Sequence, residues 1–333
     1  MSPAVNETIV RIQSKHSGPE PTAGSLMTAE LGTTVPSARA QRFTSAEQIS
    51  GLLRGVGYLP AEHVCRVLRL ADQLGKPVLI EGPTGTGKTE LAKSTAVMTG
   101  ARLIRLQCYE GLDEGKALYE WNYSKQLLRI LADNVGTVRR AGNWADLESG
   151  IFTEDFLLPR PLLDAIRAPE SVVLLIDEVD RLDIEAEALL LEILSDYQVS
   201  IPEIGTVSGL QIPMVFLTSN SSRDLSEALR RRCLYLYIDY PPAEREREIV
   251  RTRVPGISEH LAEQIAAIVA SLRRLDLRQH PSVAQTLEWA KTLLSLGAED
   301  LDAGLVADSL RLLLSYQSDI ELASSQLSRG ELP

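Results

Sequence analysis

The chain has few cysteines, no long hydrophobic run and no surplus of positive charge across its 333 residues. Its three cysteines, Cys65, Cys108 and Cys233, are scattered and share no metal-ligand spacing. That argues against a disulfide framework and fits a reducing cytoplasm. Cys108 and Cys233 lie in apolar, strand-like runs and read as small core filler. No apolar stretch is long enough to span a bilayer, and the N-terminus lacks the continuous hydrophobic core of a secretory signal. The 45 acidic residues outnumber the 34 basic ones, for a net charge of −11. This balance disfavours extended contact with a phosphate backbone, and no basic tract interleaved with aromatics offsets it. There is no internal repeat. These absences lead to an expectation of a cytoplasmic protein with no membrane span and no nucleic-acid partner, long enough for two modest domains and a sizeable core.

What is present is more specific. Gly82-Pro83-Thr84-Gly85-Thr86-Gly87-Lys88-Thr89 has the spacing of a phosphate-binding loop. The buried-type strand Pro77-Val78-Leu79-Ile80 precedes it, and a helix-forming run from Glu90 to Met98 follows, closed by Gly100 at the helix stop. Glycines let backbone N–H groups curl around an anion, and the helix N-terminus adds its positive end. The expected nucleotide-binding residues run from Gly82 through Glu90. Lys88 is expected at the β- and γ-phosphates of ATP, and the Thr89 hydroxyl at Mg²⁺.

A second site closes the buried run Leu174-Leu175-Ile176 with Asp177 and Glu178. Two carboxylates at the end of a buried strand are costly unless they meet cations or do chemistry. Asp177 is expected to help hold Mg²⁺ and Glu178 to activate the attacking water. Asp180 and Arg181 read as structural residues at a helix entry. Asn220, after the strand Met214-Val215-Phe216-Leu217-Thr218, is placed to hydrogen-bond the water or the γ-phosphate. It is equally suited to a turn. Arg230-Arg231-Arg232 end a short helix, where basic residues suit the helix dipole. The alternative is an arginine finger that completes a neighbouring subunit's site, which requires an oligomer.

Along the chain, residues 1–42 lack periodicity and read as a disordered tail, with order starting at a capping box over Thr44-Ser45-Ala46-Glu47. Short apolar strands near 77–80, 103–108, 172–176, 214–218 and 234–238 alternate with helices. The pattern predicts an α/β P-loop NTPase: a parallel five-stranded sheet with helices on both faces, over residues 43–240. A hairpin is expected over Val199 to Val207. Beyond Pro241-Pro242 the sequence is helical, giving a small all-α lid domain over 241–325 and a C-terminal tail over 326–333. Its last helix is expected as one run from Leu301 to Ile320, and Ser282 with Gln285 forms a second capping box.

These sites in this order, with a helical lid behind them, resemble the AAA+ ATPases. The resemblance covers residues from about Leu59 to Leu296. Leu106-Gln107-Cys108-Tyr109-Glu110-Gly111-Leu112-Asp113, with Ala117-Leu118-Tyr119-Glu120-Trp121, is similar to the MoxR group, and within it to CoxD-like proteins linked to carbon monoxide dehydrogenase and other molybdenum hydroxylases. The resemblance implies a chaperone-like ATPase, hexameric, that matures or activates a client enzyme, acting with a partner that contains a von Willebrand factor A domain. It implies an insertion over about 110–158, where Tyr119, Trp121 and Tyr123 either touch the client or pack as a hairpin face. It makes Arg232, before Cys233, the finger, with Arg231 as the reserve. Pro281 is followed by Ser282 where many members carry a sensor arginine, and Arg278 is the nearest substitute. The alternatives are a nucleic-acid motor of the same superfamily and a non-catalytic, nucleotide-dependent assembly switch.

Overall fold

The computed structural model describes residues 41–135, 150–209 and 211–329. The expected tail up to residue 40, the middle of the expected insertion (136–149) and the last four residues of the chain lie outside the described residues. Order is in place by Arg42, whose backbone N–H donates to Asp72 at 2.7 Å and whose guanidinium reaches the Ile212 carbonyl at 3.0 Å. The first helix, α1 (Ala46–Gly55), starts one residue later than the capping-box pattern suggests. Ser45 is the N-cap and accepts from the Gln48 N–H, while the Thr44 N–H and hydroxyl both donate to the Gln48 side chain. Thr44 thus acts from outside the helix.

The strands of the sheet are β1 (Val78–Glu81), β2 (Arg102–Gln107), β5 (Val172–Asp177), β8 (Met214–Ser219) and β9 (Leu234–Tyr237). All pair in parallel, in the order β2-β5-β8-β1-β9. The intervening short strands, β3 (Tyr119–Trp121) with β4 (Leu157–Pro159) and β6 (Gln198–Ile201) with β7 (Gly205–Ser208), form two antiparallel pairs outside it. Alternate residues of the central strands feed two cores. Val78, Ile80, Val173, Leu175 and Phe216 pack beneath α1, α2 (Glu62–Leu74) and α3 (Lys88–Thr99). Leu79, Leu174, Ile176, Val215 and Leu217 pack on the other face, against the helices Pro161–Arg167, Ile184–Asp196 and Glu227–Arg232. Apolar strands covered on both sides are the expected consequence of parallel pairing. Trp121 is buried and meets Phe152 and Tyr119 edge-on, so these aromatics of the β3 hairpin pack inward. Tyr123 remains exposed.

The helices Ala243–Arg253, Glu259–Leu272, Val283–Ser295, Ala303–Leu313 and Gln317–Ser328 share a separate apolar core around Trp289. The run expected as one helix from Leu301 to Ile320 is two. Leu314 is extended and buried, and Tyr316 caps the second helix. The break lets the buried Asp319 carboxylate accept from the Arg278 and Gln279 N–H groups, an interaction that helical periodicity does not reveal. Ser282 and Gln285 form the expected capping box.

Glu246 is fully buried in this helical layer. It accepts from Arg273, including a bond at 2.9 Å, and from the Thr286 hydroxyl at 2.8 Å. Arg273 also lies over the Tyr240 ring at 4.5 Å, which ties the layer to the segment entering it. Removing one partner leaves a buried, uncompensated charge, so Glu246→Ala is expected to lose about 3–5 kcal/mol of stability, readable by urea denaturation.

Candidate functional site

β5, β8 and β1 are neighbours, so the segments leaving their C-terminal ends meet at one sheet edge. Ligands of open α/β sheets bind at that edge. After β1 comes the phosphate loop, leading into α3 through Gly87, whose left-handed φ of 96° turns the chain into the helix. Two glycines are fixed by close approach. A Cβ on Gly82 would lie 2.0 Å from the Ile238 carbonyl oxygen, and one on Gly85 would lie 2.3 Å from Ser282 Cβ. Both also carry positive φ.

The Lys88 ammonium donates to the Gly82 and Pro83 carbonyls at 2.6 and 2.7 Å and to Asn220 Oδ1 at 2.8 Å. Burial pulls its pKa down to about 8, against the opposing pull of Asp180, Asp177 and Glu178. A bound anion would relieve that desolvation. Thr86 also braces the loop, its hydroxyl donating to the Pro83 carbonyl at 3.0 Å. Thr89 Oγ1 donates to Asp177 Oδ1 at 3.0 Å. Thr218 links the two carboxylate-bearing residues, donating to Asp177 Oδ1 and accepting from the Glu178 N–H at 3.0 Å. Glu178 has a left-handed backbone (φ 58°), and its carboxylate pairs with Arg181 at 2.8 Å. Arg181, expected only at a helix entry, therefore restrains that carboxylate. Asp180 accepts from the N–H groups of Asn220 and Ser222 and from the Ser222 hydroxyl, which fixes the turn after β8 to the turn after β5.

Thr84 through Glu90, Asp177, Glu178 and Asn220 line one cavity of about 580 Å³, together with Tyr58, Thr218, Arg105 and, from the helical layer, Arg245, Val283 and Leu287. Gly82 and Pro83, expected to bind nucleotide, are not in its lining; their carbonyls hold Lys88 beside it. The Val283 N–H donates to the Gly85 carbonyl at 3.1 Å, so the helical layer is bonded directly to the phosphate loop. Arg278 faces elsewhere, over the Tyr316 ring at 4.6 Å. Gly85→Ala would push Ser282 away and place an alanine at φ +76°. It is expected to lower nucleotide affinity at least tenfold, measurable with a fluorescent ATP analogue.

None of the three clustered arginines lines this cavity. Arg230 pairs with Glu81 at 2.7 Å, and Arg231 with Glu227 at 2.6 Å. Arg232 is exposed, its Nε donating to Ser195 Oγ at 2.6 Å.

The oxygen donors Thr89 and Asp177 suit a hard cation such as Mg²⁺, which is commonly held by one or two protein oxygens plus substrate phosphates. Among the described residues there is no cluster of three or more His, Cys, Asp and Glu side chains fit for a metal. Nor is any helix there long and apolar enough to cross a membrane.

Thr218 was expected beside Asn220 at a strand end, while Arg105, Tyr58 and Arg245 carry no expectation from the sequence. Arg105 lies in a strand that alternates apolar and polar residues from Ile104 onward, so its charge gave no distinct signal.

The sheet order, the loop and the paired carboxylates are those of a P-loop ATPase. Residues 77–233 match the family described as AAA domain (dynein-related subfamily). The chain is 27% identical over 242 residues to the denitrification regulatory protein NirQ of Stutzerimonas stutzeri, covering 69% of this chain and 75% of that one. It is 28% identical over 253 residues to the gas vesicle ATPase GvpN of Haloferax mediterranei, covering 73% and 68%. Among solved structures, the RuvB Holliday junction branch migration motor of Thermotoga maritima aligns with a TM-score of 0.41 and 18% identity, over 83% of this chain and 73% of that one.

Proposed function

We propose that the chain hydrolyses ATP within a ring of its own copies, six by resemblance to the MoxR group, and uses the cycle to assemble, mature or activate a client enzyme complex. The observation that carries this reading is the convergence of Lys88, Thr89, Asp177, Glu178 and Asn220 on one cavity while Arg232 stays exposed outside it. A site with its own phosphate loop and carboxylates, but its finger turned outward, is suited to completion by a neighbour.

In this reading Lys88 leaves the Gly82 and Pro83 carbonyls for the β- and γ-phosphates. Thr89 and Asp177 would hold Mg²⁺, which would supply charge neutralisation when bound. Glu178 leaves Arg181 and takes a proton from the attacking water, and Asn220 orients that water. Arg232 of one copy stabilises charge on the phosphoryl group held by the next. The helical layer (241–325) is a lid on the α/β core (43–240). Its bond from Val283 to Gly85 lets the state of the phosphate loop reach it.

The relatives' names, a denitrification regulatory protein and a gas vesicle ATPase, fit a regulatory or assembly ATPase in place of a nucleic-acid motor. So does the net charge of −11. The resemblance to CoxD-like proteins favours a molybdenum hydroxylase as client, a von Willebrand factor A domain protein as partner and a cytoplasmic location. Particle mass measured with ATP and Mg²⁺ tests the ring: a multimer is expected, and a monomer at saturating nucleotide would contradict it.

A further inference from the structure

The Asp177 carboxylate has no free acceptor position. Its Oδ1 accepts from the Thr89 and Thr218 hydroxyls, and its Oδ2 accepts from Arg105 Nε at 3.1 Å and Nη2 at 2.6 Å. A carboxylate offers about four lone-pair sites, and these four donors fill them. Strand order creates the Arg105 contact. β2 is the edge strand beside β5, in a register that sets Gln107 opposite Asp177, and Arg105 shares the face of Gln107 two residues earlier. The Asp177 side chain is 4% exposed, and an unpaired carboxylate at that depth is costly. The Arg105 side chain is 47% exposed and lines the nucleotide cavity, so it can withdraw without opening the core.

We propose that Arg105 is a positioning residue that holds Asp177 in the metal-free protein and yields it when Mg²⁺ enters with nucleotide. The proposal rests on the ATPase reading. Of the donors on Asp177, the guanidinium is the one free to leave. Thr89 can keep donating to Asp177 while its oxygen lone pair turns to a metal. Thr218 is pinned between Asp177 and the Glu178 N–H. A withdrawing Arg105 keeps Gln107 Oε1 as a partner. Guanidinium and metal therefore compete for one carboxylate, and Arg105 sets how strongly nucleotide binding depends on Mg²⁺.

The test is the affinity for a methylanthraniloyl ADP probe, measured with Mg²⁺ and again with EDTA, in wild type, Arg105→Gln and Arg105→Lys. Arg105→Gln is expected to raise the ratio of the two affinities about fivefold, the effect of one partly exposed ion pair, with affinity in Mg²⁺ undiminished. Arg105→Lys keeps a charge without the two-pronged fork and should fall between. It also carries the test if the glutamine variant fails to fold, as judged by circular dichroism. A purely structural role would weaken binding equally in both conditions, and a role as phosphate ligand would weaken it in Mg²⁺. An unchanged ratio, or weaker binding in Mg²⁺, overturns the proposal. Wild type that binds the probe alongside an unmoved ratio in the variants overturns this inference alone. Wild type that binds no nucleotide overturns the ATPase reading and this inference with it.

Discussion

Glu178→Gln is expected to bind ATP as wild type does and to turn it over about 10²–10⁴-fold more slowly, the range for loss of a general base. The substitution keeps the volume and hydrogen-bonding shape of the side chain. It removes the charge that draws the proton from water and leaves the phosphate contacts intact, since Lys88, Thr89 and Asp177 are held by separate bonds. The ion pair from Glu178 to Arg181 is largely open to solvent, so its loss changes stability little. The measurement is steady-state phosphate release beside equilibrium binding of a fluorescent ATP analogue. The trapped ATP state should also enrich the multimer. Retained turnover would remove Glu178 from the chemistry.

Arg232→Ala is expected to lower turnover by about 10³-fold or more, as loss of an arginine finger does in related phosphoryl transfers. Nucleotide binding by the same subunit should persist, because Arg232 lies outside its own cavity. The neighbouring arginines serve as internal controls. Arg231 is exposed and pairs with Glu227 one turn back, so Arg231→Ala should leave turnover near wild type if Arg232 is the finger. Arg230 is committed to Glu81 at the end of β1, the residue before the loop. Its loss should disturb the site through folding and stability.

Much of this site was readable before any coordinates. Strand, loop and helix around Gly82 to Thr89 are local in sequence, and local chemistry specifies them. The five core strands were also readable, because buried parallel strands are short continuous apolar runs, and each lies within about two residues of its expected limits. What could not be read depends on which strand lies beside which. Arg105 meets Asp177 only because β2 borders β5 in one register. Thr218 bridges Asp177 and Glu178 only because β8 lies on the other side of β5. The contact of Ser282 with Gly85 joins segments nearly two hundred residues apart. The break at Leu314 lets Asp319 accept from the Arg278 and Gln279 amides, a tertiary contact that a helical periodicity conceals. By resemblance, Ser282 stands where a sensor arginine is common; the structure shows a backbone bond from the next residue, Val283, to the Gly85 carbonyl.

A site shared between subunits is the central claim, and mixing two inactive variants tests it most directly. Arg232→Ala subunits keep their own Lys88, Asp177 and Glu178, while Glu178→Gln subunits keep Arg232. In a mixed ring, a Glu178→Gln subunit supplies the finger to an Arg232→Ala neighbour. ATP turnover in the mixture should rise clearly above that of either variant alone. If it stays at the level of the two separate variants while both assemble together, no arginine crosses between copies at this site, and the ring mechanism is wrong.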